Sequence, residues 1–197
     1  MDSMIHSVYV FLSQLLTSPA FFVLWAMFAL GAAVEACFSG RTFSWRDRAL
    51  NFRWAFCYSL LEFMLASFKA SVVAGAVRIF GQAQALSLQV DFENRLLQSA
   101  AAVGIALAAS DFFLYWMHRL EHRIPWLWDE HIVHHCDERV TIFSTARLHP
   151  INLLIRPVLV SAPLAVLVRL PAPELALLGL VPYLWIYVIH LDIRLGF

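Results

Sequence analysis

The sequence predicts an all-α integral membrane protein, a multi-span helical bundle with a histidine-rich cap on its cytoplasmic side. Three observations carry that prediction: 61% of the 197 residues are hydrophobic, only 14% are charged, and the apolar residues gather into stretches long enough to cross a bilayer. A soluble domain carries roughly a quarter charged residues, so this composition suits a chain that buries much of its surface in lipid. The 14 basic and 14 acidic residues balance, and no global field favours nucleic acid or an acidic partner. Cys37, Cys57 and Cys136 form no CxxC pair and are too few for a disulfide framework. They read as small apolar residues.

A spanning helix needs about 20 mainly apolar residues, because the hydrocarbon core is about 30 Å thick and offers backbone groups no aqueous partner. Residues 19–38 form the first such stretch, and Pro19 separates it from a shorter apolar run over 8–16. No Lys or Arg precedes Arg41, so the start lacks the basic region of a secretory signal peptide and is expected to stay attached. The second stretch is 52–77 and the third 96–117, divided by a link containing Gln82, Gln84, Asp91, Glu93, Asn94 and Arg95 that reads as a surface loop. A polar block over 118–150 follows. The apolar region 151–189 is too long for one span, and Arg169, Pro171, Pro173 and Glu174 divide it into a hairpin. Two regions are therefore expected: N-terminal spans and loops over 1–95, and a second region over 96–197.

Orientation follows from Arg and Lys, which stay on the cytoplasmic side in short loops. Arg41, Arg46, Arg48 and Arg53 follow the first span. Two further crossings return the chain to the same face, where Arg119, Arg123, Arg139 and Arg147 lie, and the hairpin brings His190 and Arg194 back to it. His6 falls on the opposite side. Glu62 and Lys69 in the second span are seven residues apart and share a helical face; the simplest expectation is that they reach toward opposite bilayer edges.

Six of the eight histidines fall between His118 and His149, and His190 returns to their face after the hairpin. His118 and His122 form an HxxxH box continuing from the third span; residues four apart stack on one helical face, so both imidazoles can point at one metal. His131, His134 and His135 form an HxxHH box. There His131 shares a face with both of the others, and the adjacent pair can splay to serve two metals. Imidazole suits zinc and iron, and the boxes contain no thiolate for an iron–sulfur cluster. Asp111 and Tyr115 precede His118 on the same helical face, and Asp111 is expected either to accept a hydrogen bond from a ligand imidazole or to reach interfacial water.

The order Asp111, Tyr115-Trp116-Met117-His118-Arg119, His122, His131, His134, His135 and Arg147-Leu148-His149-Pro150 resembles the fatty acid hydroxylase and sterol desaturase superfamily. The resemblance runs from about residue 96 to the end and takes in His190. It implies that His118, His122, His131, His134, His135, His149 and His190 hold two non-haem iron ions, with Asp111 and Tyr115 supporting them. The implied activity is O2-dependent hydroxylation or desaturation of a lipid C–H bond. No flavin, nicotinamide or haem motif is present, so an external reductase with a ferredoxin or cytochrome b5-like carrier is the expected electron donor. Family members carry a further HxxHH box after the hairpin. This sequence stops at Phe197 without it, which reads as a fragment.

Two rival readings stay open at this point. His118-Arg119-Leu120-Glu121-His122 also fits the HxxEH pattern of a membrane zinc hydrolase, with Glu121 as general base. That reading leaves the other histidines without a task. A metal transporter or sensor is the second, although transport sites place ionisable groups midway through several spans rather than at one membrane edge.

Overall fold

The computed structural model describes residues 17–39, 45–81, 94–168 and 172–193, with positions 6, 10, 13–15 and 170 besides. Among these residues every regular element is helical. Helix α1 is Pro19–Phe38. The Ser18 hydroxyl accepts from the Phe21 N–H at 3.4 Å, and Pro19 sits in the first turn, where a missing N–H costs nothing. Helices α2, Trp45–Met64, and α3, Ala66–Phe80, follow one another across a bend. Helix α4, Arg95–Glu121, starts where the Asn94 side chain accepts from the Leu96 N–H at 2.9 Å. Its buried residues Val103, Ala106, Ser110, Met117 and Glu121 recur at helical spacing and mark the face turned inward.

Helix α5, Pro125–His135, a 3-10 turn over Ile142–Ala146, helix α6, Asn152–Leu167, and helix α7, Ala172–His190, complete the fold. Inside α6, Pro157 removes one donor, and a π-helical turn over Pro157–Ser161 absorbs the loss, the Ala162 N–H reaching back to the Pro157 carbonyl. α1 and α4 are each long and apolar enough to cross a membrane, and α2 with α3 adds a third crossing if the bent pair counts as one. The expected hairpin over 151–189 appears as two apolar helices, Asn152–Leu167 and Leu177–His190, each shorter than a full span.

The expected second span over 52–77 is not straight. Its two halves, Arg48–Met64 and Ala66–Phe80, are bent by 51°. Glu62 and Lys69 do not diverge to opposite bilayer edges; Lys69 Nζ donates to Glu62 Oε1 at 2.8 Å. A straight helix places residues seven apart roughly 10 Å apart along its axis, and the ion pair closes across the bend. Pairing offsets the cost of two charges among apolar helices.

The core lies around the 3-10 turn. Ile142 and Phe143 pack with Phe28 of α1, Ala55 of α2 and Tyr187 of α7. Gly31 permits this approach, because a Cβ there would lie 2.6 Å from Ile142 Cγ1. Beside it Glu35, fully buried, accepts from the Ile142 N–H at 2.6 Å and the Asp192 N–H at 3.1 Å, and pairs with the Arg48 guanidinium. Arg48, expected among the loop cations, is thus an internal partner within α2. Arg41, Arg194 and the 82–93 link lie outside the described residues.

Candidate metal centre

α4 does not stop where its apolar stretch ends; it runs through His118 to Glu121, and the His122 N–H caps it by donating to the His118 carbonyl at 3.1 Å. Three residues later Pro125 opens α5, which folds back so that His131 and His135 meet His118 and His122. The His118–His131 and His122–His135 ring centroids stand 4.7 and 4.8 Å apart. One ligand nitrogen from each of the four lies within 4.8 Å of every other. Ligand atoms at about 2.0–2.1 Å from one ion stand roughly 3–4 Å apart, so the four nitrogens are near the spacing that a single metal would take. His131 and His135 already face each other Nε2 to Nε2 at 3.0 Å, an arrangement that a proton or a cation must bridge. The donor set fits an imidazole-binding metal.

The cup has a closed and an open side. His131 is 4% exposed, whereas His118, His122 and His135 are exposed. Behind it the buried Glu121 carboxylate lies 3.1 Å from His131 Nδ1 and 3.7 Å from His118 Nδ1, and accepts from Asn152 Nδ2 at 3.1 Å. The Glu121–His131 pair is close but not hydrogen-bonded; a carboxyl group that accepts from Nδ1–H leaves Nε2 free for a metal. Trp128 stacks on His135 at 5.8 Å and flanks His122 at 5.1 Å. Burial, with neighbouring histidines adding to it, lowers His131 to about 3 and His134 to about 4; burial also lowers His135. These imidazoles are neutral near pH 7, with lone pairs ready for a cation. Glu130, buried on the same helix, is held toward its neutral form chiefly by that burial.

The other expected ligands lie outside this group of four. His134 points past His131, its ring 5.7 Å from His131 and 5.7 Å from His190. His190 Nδ1 donates to the Ile186 carbonyl at 2.8 Å, which leaves Nε2 with a lone pair. His149 accepts from the Ile151 N–H through Nδ1 at 3.3 Å. The segment carrying it is fixed by a network: Asn51 donates to Asp137 at 2.8 Å, Arg147 pairs with Asp137 at 3.3 Å, and Trp54 Nε1 donates to the Leu148 carbonyl at 3.0 Å.

Asp111 and Tyr115 lie on the outer face of α4. Both are exposed on α4, and the Tyr115 hydroxyl accepts from Arg119 at 2.7 Å. Among the described residues neither bonds an imidazole, and the carboxylate beside the ligands is Glu121. Sequence reasoning weighed Glu121 only as a general base, although its place three residues after His118 put it on the ligand face. Asn152 and Trp128 carried no comparable signal.

Below the histidines a cavity of about 990 Å³ opens between α1, α2, α3, α4, α6 and α7. It reaches Leu148, next to His149, and Ile186, which holds His190. Its wall is mostly apolar, with Tyr58, Glu62, Lys69, Arg156, Tyr183 and Tyr187 as the large polar exceptions.

Helices long and apolar enough to cross a membrane, with a cup of imidazoles spaced as metal ligands at one end of an apolar cavity, fit the class of membrane metalloproteins. Residues 103–197, the part of the chain that carries the histidine boxes, match the fatty acid hydroxylase family. That family is one of oxidoreductases acting on lipids with a metal, which fits the imidazole cup and the apolar cavity. No curated protein and no solved structure matches the chain.

Proposed function

We propose that this protein is a membrane-bound non-haem di-iron oxidase that uses O2 to hydroxylate or desaturate a lipid C–H bond. The supporting observation is the placement of four convergent imidazoles above a cavity large enough for an extended lipid segment. His118, His122, His131 and His135 would hold one ion; His134, His190 and His149 would serve a second. Iron supplies oxygen activation when bound. The chain's own residues orient and exclude: Glu121 sets the His131 imidazole, Trp128 covers His135 and His122, and the apolar wall keeps water from the substrate.

Glu121 lies behind the ligands at Nδ1, 3% exposed, where it orients an imidazole rather than meeting a water on the metal. This favours the oxidase over the hydrolase. The gathering of histidines at one end of the bundle likewise favours catalysis over transport. Arg123 and Arg139 are exposed around the cap, and Arg119 lies 5.7 Å over the Trp116 ring. Basic residues there suit the cytoplasmic side and an acidic ferredoxin or cytochrome b5-like carrier with its reductase.

The test is expression of the chain in cells supplied with 18O2, followed by mass spectrometry of extracted lipids. The expected result is a lipid carrying labelled hydroxyl oxygen, or one lighter by two hydrogens, absent when His131 and His135 are both replaced by alanine. Identical lipids with and without the intact cluster would overturn the reading.

A further inference from the structure

Of the three ionised groups lining the cavity, Glu62 and Lys69 neutralise one another at 2.8 Å. The third is Arg156 on α6. It is half-buried and makes no hydrogen bond or ion pair among the described residues. The groups around it come from every neighbouring element: Tyr58 and Glu62 from α2, Lys69 from α3, Glu121 from α4 and Tyr183 from α7. Neither carboxylate takes the guanidinium, since Glu62 pairs with Lys69, and Glu121 engages Asn152 and lies against His131. A guanidinium left with five donors and no acceptor in a mostly apolar wall is expensive unless a ligand supplies the acceptor. Planar two-oxygen anions match its fork.

We propose that Arg156 binds the anionic head of a single-chain lipid, a carboxylate or a phosphate monoester, whose alkyl chain fills the cavity. The Tyr58 and Tyr183 hydroxyls line the same cavity and would add donors to that head. Arg156 lies one helical turn beyond Asn152, the residue that bonds Glu121, so the head sits at the metal-centre end of the cavity. Neutral sterols, carotenoids and cationic sphingoid bases lack the group this site would recognise. The proposal rests on the reading of the cavity as a lipid site and selects the lipid class.

The experiment is equilibrium binding of a fluorescent long-chain fatty acid to the full chain in nanodiscs of phosphatidylcholine. Unlabelled fatty acid, its methyl ester, the matching alcohol and the matching alkyl phosphate compete, and no turnover is required. The wild type should prefer the two anions over ester and alcohol by about 10-fold or more, the scale of one charge-assisted hydrogen bond; whichever anion competes better identifies the head. Arg156→Gln should abolish that preference and leave ester and alcohol unchanged. Arg156→Lys should retain part of it, and Arg78→Gln, on the exposed face of α3, all of it. Equal binding of acid and ester by the wild type would overturn the proposal. So would a uniform loss for every competitor in Arg156→Gln, since Arg156 would then act only as a counter-charge to Glu121. A chain that prefers anions yet oxidises nothing would refute the oxidase and leave this assignment standing.

Discussion

Glu121 is the residue on which the geometry of the cup turns. His118 and His122 were legible as a pair because their spacing alone puts them on one helical face, and the same holds for His131 and His135. The sequence left open which partner His131 takes; packing settles it, with His135 joining the four and His134 turning toward His190. Glu121 was hidden because its role depends on α5 folding back over α4, which local periodicity does not encode. Replacing Glu121 by Gln keeps the shape but exchanges the carboxyl group that faces His131 Nδ1 at 3.1 Å. Metal affinity is expected to fall about 10–100-fold with helicity unchanged, measured by competition with a chromogenic chelator and by circular dichroism. Unchanged affinity would remove Glu121 from the centre.

Among the elements, the spanning helices were readable because length and apolar composition suffice to mark them. The bend between α2 and α3 was not, since no Pro or Gly lies near Leu65; an ion pair seven residues apart marks it instead. Lys69→Met strands Glu62 and should lower thermal stability in detergent, while adding Glu62→Gln should recover most of the loss. Two additive losses would mean that the pair is not coupled. The 3-10 turn Ile142–Ala146 was also illegible, because it lies in a polar block yet forms the centre of packing. Gly31→Ala, which pushes a methyl into Ile142, should cost about 1–3 kcal/mol. Glu35→Ala leaves the buried Arg48 unpaired and should cost about 3–5 kcal/mol. Chemical unfolding in detergent reads both.

For the whole molecule, the histidine cap is tied to the membrane helices at points far apart in sequence. Glu35 of α1 reaches both Ile142 and Asp192, and Asn51 of α2 reaches Asp137. Helices that read from sequence only as anchors therefore also set the position of the segments bearing His149 and His190. The central claim is that the four-imidazole cup binds a metal. Elemental analysis of detergent-purified protein tests it most directly, comparing the wild type with a His131→Ala, His135→Ala double variant. The account predicts at least one iron or zinc ion per chain in the wild type and its loss in the variant at unchanged helicity. A metal-free wild type after growth in iron-supplemented medium, or equal metal in both proteins, would contradict it.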